Sequence, residues 1–364
     1  TLFRSLGYCP NKSKRFGDPL PMNLKQLAES LGLSQTTVSR ALNGYPEVSE
    51  ATRRRVIEAA SRLDYRPDTR ARGLAIGRAH AIGHVIPISS KHEVMNPIFS
   101  DFIAGAGEVY ARAGYDMMLS IVPDDAEHST YRALAHKKSV DGIVIHGPRT
   151  DETRIRLLQS LDMPFVVHGR ASAEAAEYSW VDVNNRRAFA RATDLLLDLG
   201  HRRIALVNGL EDMDFAMRRR QGFEGALRAR GLLPDPALMT SGEMTEHYGH
   251  AAARQALALK DPPTAFLVSS LISAIGVRRA IEESGLRMGR DISVITHDDA
   301  LSYLANGREV PIFTATRSSV REAGLRAAEM LLELIDDPSR APRHLLLEAE
   351  LVVGVSTGPA PHPR

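Results

Sequence analysis

From Ala81 onward the chain alternates short β-rich runs with amphipathic helical stretches, and this alternation limits the possible folds more than any other feature. Strand-type runs fall at 82–88, 115–122, 142–145, 165–168, 204–207, 265–268, 292–296 and 345–355. Helical spacing appears between them at 99–113, 186–199, 215–230 and 272–284. Repeated βα units build a parallel sheet covered by helices. There are too many strands for one compact open sheet, so the expected α/β fold is two doubly wound lobes with a ligand cleft between them. The first lobe is read as 81–181 with 313–338, the second as 183–311 with 341–358, and 359–364 as a tail. A chain of 364 residues suits two or three such compact units.

The residues before Ala81 have a different texture. Residues 1–21 lack periodicity and contain Pro10, Pro19 and Pro21, so they read as a flexible extension. Leu24, Leu27, Ala28 and Leu31 then recur at helical spacing and stop at Gly32. Ser34 is placed to cap a second helix with Val38, Ala41 and Leu42 inward, closed by Asn43-Gly44. Ser49 caps a third, whose buried stripe is Val56, Ala60 and Leu63. The tight turn Gly32-Leu33-Ser34 makes residues 22–68 an all-α helix-turn-helix headpiece, and 69–80 its linker to the α/β part.

Charge is distributed in the same way. Residues 1–81 hold 14 Lys and Arg against 7 Asp and Glu, whereas the whole chain has a net charge of only +2. A basic head on a mildly acidic body suits an encounter between one end and a polyanion. The 43% hydrophobic and 25% charged composition is that of a globular protein, and the apolar runs are too short to span a bilayer. One cysteine, Cys9, permits neither an intrachain disulfide nor a cysteine metal cage. Residues 1–21 contain no apolar signal stretch, so a cytoplasmic location is expected and no membrane partner.

A helix laid in the major groove presents its N-terminal outward residues to base edges. In the second helix these are Gln35, Thr36, Ser39 and Arg40. Arginine can bridge guanine O6 and N7, glutamine can bridge adenine N6 and N7, and the threonine methyl can meet that of thymine. The run Leu33-Ser-Gln-Thr-Thr-Val-Ser-Arg-Ala-Leu-Asn-Gly44, followed by Val48-Ser49, Thr52-Arg53, Arg55-Val56 and Leu63-Asp64-Tyr65, resembles the headpiece of the lactose-repressor/galactose-repressor (LacI/GalR) family of transcriptional regulators. Ala71-Arg72-Gly73-Leu74-Ala75 resembles that family's hinge. The resemblance continues through Leu199–Ala205, Arg219-x-x-Gly222-Phe223 and Asp291–Asp299.

That resemblance implies a homodimer on double-stranded operator DNA, controlled by a small-molecule effector, most simply as a repressor. It puts base contacts on Gln35, Thr36 and Arg40, with Ser34, Thr37, Ser39, Asn43 and Arg53 around them. Leu74 is implied as a wedge in the minor groove at the operator centre, with Arg72 beside it. Gly73 departs from a good helix former within the hinge. In the sensing part, the resemblance implies Asp298 as a carboxylate for hydroxyls, Arg219 as a cationic fork, and Phe99 with Ile98 as an apolar wall. An arginine, a carboxylate and an aromatic face suit a polyhydroxylated ligand such as an α-glucoside. Ser270-Leu271 stands where many family members have Asn-Asp, which leaves a purine or other non-sugar effector open.

Rival patterns are weaker. Gly105-Ala106-Gly107 falls inside a helical stretch rather than at a strand-to-helix turn, so it is not a dinucleotide loop. His297-Asp298-Asp299 lacks companions at metal-ligand spacing, and no phosphate loop or nucleophile elbow is found, so neither metal, cofactor nor catalysis is expected. A solute-binding protein would share the two-lobed body but has no use for the headpiece.

Overall fold

The computed structural model describes residues 22–42, 44–65, 77–87, 97–172 and 177–361. Two compact units divide at Arg78/Ala79.

The first unit contains α1 (Leu24–Leu31), α2 (Gln35–Leu42) and α3 (Glu50–Arg62). The α1 N-terminus is closed by a capping box: Asn23 accepts from the Gln26 amide, and Gln26 accepts from the Asn23 amide. Gly32 ends α1 at φ 64°, a left-handed conformation in which a side chain would be strained. Ser34 Oγ then accepts from the Thr37 amide at 3.0 Å, and Ser49 Oγ from the Thr52 amide at 3.3 Å, so both expected caps form. Leu27, Ala28, Val38, Ala41, Val48, Val56, Ala59 and Ala60 make up the core.

In the second unit, the first sheet comprises β1 (Ala81–Pro87), β2 (Asp116–Val122), β3 (Gly142–His146), β4 (Phe165–His168), β5 (Ser179–Val183) and β11 (His344–Leu347). Its order is β11-β5-β4-β3-β1-β2, and every pairing is parallel. A second sheet has the order β12-β10-β9-β8-β6-β7. Its strands are β6 (Ile204–Asn208), β7 (Met239–Ser241), β8 (Ala265–Val268), β9 (Ser293–Asp298), β10 (Thr314–Arg317) and β12 (Glu350–Val352). Only β10 and β12 pair antiparallel there.

Helices cover both sheets. On the first lie α4 (Pro97–Ala113), α5 (Glu127–His136), α6 (Arg154–Ser160) and α11 (Val320–Asp336); α7 (Asn185–Asp198), α8 (Asp214–Ala229), α9 (Glu246–Leu257) and α10 (Leu271–Glu283) serve the second. Gly222 on α8 lets it approach α7 closely, since an added Cβ would lie 2.1 Å from the Arg186 carbonyl oxygen.

The division between lobes corrects the sequence reading. Residues 314–317, assigned above to the first lobe, form β10 of the second sheet, and residues 344–347, assigned to the second lobe, form β11 of the first. The chain passes between the sheets near 183–185, 317–320 and 347–350. The single run expected at 345–355 is thus two strands in two sheets. Alternation fixes which side of a strand is buried, not which sheet it joins.

Candidate functional site

On the headpiece, α2 buries Val38 and Ala41 and leaves Gln35, Thr36 and Arg40 exposed. Thr37 and Ser39 are half-buried, and the Ser34 and Thr37 hydroxyls lie 2.8 Å apart. Among the described residues Arg40 has no ion-pair partner. Arg53 is committed: it donates to the Tyr45 carbonyl at 2.9 Å, to the Gly44 carbonyl at 3.3 Å and to Glu50 at 3.2 Å. It therefore clamps the connection between α2 and α3. Asn43, Arg72 and Leu74 lie outside the described residues.

In the second unit a cavity opens between the two sheets at the carboxyl ends of β3, β4, β5 and β9, where open α/β sheets bind ligands. The first lobe lines it with Ile98, Phe99 and Phe102 from α4, His146 from the end of β3 and His168 from the end of β4. Phe99 and Phe102 meet the His146 ring edge-on at 5.0 and 4.8 Å, and Phe102 lies over His168 at 4.3 Å. Burial holds His168 down at about 4 and His146 well below its ordinary value, so this wall is neutral near pH 7.

The second lobe contributes Phe215, Arg219, His297 and Asp299, with Asn185 at the passage between lobes. Arg219 is 5% exposed, and its guanidinium lies between the Phe189 and Phe215 rings at 5.2 and 4.9 Å. It donates to Asn185 Oδ1 at 2.7 Å and to the Ser269 carbonyl at 2.6 Å. Burial pushes Arg219 down to about 10, while Asp299 and Asp182 favour its charge, so it stays cationic at neutral pH. Burial disfavours the charge on Asp299, but His297 and Arg219 outweigh it and hold the carboxyl below its usual range. His297 in turn bonds Thr316 Oγ1 at 3.0 Å through Nδ1. One guanidinium, two carboxylates (Asp299 and Asp182, the latter paired with Arg170 at 2.7 Å) and three neutral imidazoles thus face three aromatic rings.

Two expected residues are elsewhere. Asp298 is buried, its Oδ1 accepts from the Ala300 amide at 2.9 Å, and its neighbour Asp299 borders the cavity instead. Side chains alternate sides at a strand end, so a one-residue step decides which of two adjacent carboxylates enters the cleft. Ser270 caps α10, accepting from the Ser273 amide at 3.2 Å, and is absent from the lining. Ile98, Phe99 and Arg219 do border the cavity. Sequence reasoning missed Phe102, His146, His168, Asn185, Phe215 and Asp299. The two histidines carried a signal, since each closes a strand candidate at the end where α/β sheets bind ligands.

A helix-turn-helix with an exposed polar helix face, joined in one chain to a two-lobed unit with a polar-aromatic cleft, defines a ligand-sensing DNA-binding protein. Two family models match: "Bacterial regulatory proteins, lacI family" over residues 23–68, and "Periplasmic binding protein-like domain" over residues 193–357. The HTH-type transcriptional regulator AglR of Rhizobium meliloti (strain 1021) is 46% identical over 343 residues, 94% of this chain and 96% of that protein. The chain belongs to the lacI family of bacterial transcriptional regulators. Among solved structures, a lac repressor dimer bound to operator and the anti-inducer ONPF matches with TM-score 0.81 and 26% identity, over 93% of this chain and 100% of that one. A complex of the transcriptional regulator CelR with cellobiose matches with TM-score 0.69 and 28% identity, over 92% and 99%.

Proposed function

We propose that this regulator is a repressor that binds a pseudo-palindromic operator as a homodimer and changes its DNA affinity when an uncharged saccharide occupies the cleft. The observation that carries the reading is the composition of the cavity wall. Arg219 and Asn185 supply donors and acceptors for hydroxyls, Asp299 supplies a charged acceptor, and Phe99, Phe102 and Phe215 supply flat apolar faces. Arg219 offsets Asp299 and Arg170 offsets Asp182, which favours a neutral polyol over an ionic ligand. An α-glucoside disaccharide is the first choice, and a cellobiose complex in a relative of the same architecture is consistent with a two-sugar ligand.

On the DNA side, Gln35, Thr36 and Arg40 are the base-reading residues in this account, and Ser34, Thr37 and Ser39 contact the backbone beside them. Leu74 is the wedge at the operator centre, and Arg72 and Asn43 are further contacts. Effector binding closes the cleft and alters the spacing of the two linkers in the dimer, a domain-closure switch.

The single tryptophan, Trp180, supplies the test. It stacks between Arg170 and His344, and Arg170 pairs at 2.7 Å with Asp182 on the cavity wall. Maltose, sucrose, trehalose, cellobiose, ribose and adenine are titrated into the full chain while Trp180 emission and thermal unfolding are followed. A saturable response to at least one disaccharide is expected. Binding of adenine with no response to any saccharide would overturn the saccharide reading.

A further inference from the structure

Tyr110 on α4, His84 on β1 and His146 on β3 form a line of hydrogen-bonding groups from the interior of the first lobe to the cleft. Tyr110 Oη lies 3.5 Å from His84 Nε2, and His84 Nδ1 lies 2.9 Å from His146 Nε2. Tyr110 and His84 are 1% and 0% exposed, whereas His146 borders the cavity. Burial pushes the Tyr110 phenol up and holds His84 down at about 3, so near neutral pH the phenol keeps its proton and the imidazole carries one.

One proton placement leaves no donor of Tyr110 or His84 without an acceptor among the described residues. Among the described residues, the one hydrogen-bond partner of the Tyr110 hydroxyl is His84 Nε2. Were that nitrogen protonated, the phenol proton would be left without an acceptor among the described residues. In that placement the phenol donates to Nε2, and His84 carries its own proton on Nδ1, from which it donates to His146 Nε2. A neutral His146 must then hold its proton on Nδ1, which has no protein partner among the described residues. Phe99 and Phe102, edge-on at 5.0 and 4.8 Å, hold the plane of that ring.

We propose that Tyr110 and His84 are positioning residues that fix His146 as an Nδ1–H donor toward the effector, so that the first lobe reads an acceptor oxygen on an uncharged ligand. The idea rests on the reading of the cleft as the effector site. It extends that reading by stating which chemical group the aromatic wall recognises. A ligand that offers a donor there, such as an ammonium group, meets a donor and is rejected.

The test begins without any ligand. Nitrogen-15 NMR of the full chain labelled at histidine separates the two tautomers, because a protonated and an unprotonated ring nitrogen resonate far apart. The expected result is a protonated Nδ1 and a bare Nε2 on His146, and a mixture of tautomers in Tyr110→Phe. Protonation of His146 on Nε2, or a Tyr110→Phe protein with the wild-type signature, would overturn the relay. Binding is then measured with maltose and cellobiose. His146→Asn retains an N–H near the Nδ1 position, so its affinity for the sugar that binds should stay within about tenfold, against a loss of roughly a hundredfold in His146→Leu. Equal losses would overturn the donor role. Failure of both sugars to bind the wild-type chain would count against the effector reading, while the NMR result decides the relay by itself.

Discussion

In the headpiece, Gln35, Thr36 and Arg40 stand exposed on α2 above a core of eight buried apolar residues. In the effector unit, Arg219, Asn185 and His297 are 5%, 3% and 1% exposed, and each is hydrogen-bonded before any ligand arrives. The difference matches what each region is proposed to recognise. DNA brings its own high charge density and strips water from exposed side chains on contact, so its readers stay solvated until then. A small neutral ligand offers few atoms, so its partners must be oriented in advance and the fold bears the cost of burying them. Substitutions should therefore separate cleanly: those on α2 change binding alone, and those in the cleft change stability as well.

The largest expected effect is that of Arg219→Met. It leaves Asn185 Oδ1 and the Ser269 carbonyl without their donor and removes the cation that supports Asp299. A loss of about 3–5 kcal/mol in the effector unit is expected from denaturant unfolding, together with loss of the saccharide response. A variant as stable as wild type would show that Arg219 is not integrated into the fold.

Acid sharpens the same contrast. His84 and His168 are held down at about 3 and about 4 by burial, against an ordinary value of 6.5. Below 6.5 the unfolded chain takes up protons that the folded one refuses, so stability is full above that value and falls as pH drops toward the folded values. Each imidazole removes roughly 2 kcal/mol between pH 6.5 and pH 5. Residues 22–65 contain no histidine, so calorimetry at pH 5 should find the effector unit weakened and the headpiece transition unmoved by this cause. Equal shifts of both transitions would contradict the contrast.

Arg40→Ala comes next in size. It should cost roughly 1–3 kcal/mol on operator DNA, relax preference at one base pair per half-site and leave the unfolding curve in place. An equal loss on random DNA in a filter-binding assay would make Arg40 a phosphate contact. The smallest effect belongs to Asn23→Ala, which removes one side of the α1 capping box and should lower headpiece stability by about 1 kcal/mol in thermal melts.

What the sequence revealed divides along the same line. The headpiece was legible because its helices obey one period and its caps, Ser34 and Ser49, stand at the ends of apolar stripes. The α/β alternation was legible too, but β5, β7 and β10 were missed as strands. Ser179–Val183, Met239–Ser241 and Thr314–Arg317 are short and interrupted by polar residues, and tertiary pairing rather than local pattern makes them strands. Which sheet takes 344–347 is settled by its pairing with β5, more than 160 residues away, and no periodicity encodes that. At the cavity, Phe99 and Arg219, singled out through motifs, are lining residues, whereas Asp299 rather than the expected Asp298 borders it. The imidazole wall was missed because His146 and His168 are distant in sequence and adjacent only across β3 and β4.

The most direct test of the account is the effect of a cleft-bound saccharide on operator affinity. The operator is obtained by in vitro selection with the full chain, and its dissociation constant is measured by fluorescence anisotropy with and without the disaccharide that saturates the Trp180 signal. A coupling of 1–3 kcal/mol is typical of such linkage, so a shift of roughly 5- to 150-fold is the predicted result. An operator affinity unchanged at saturating saccharide would contradict it.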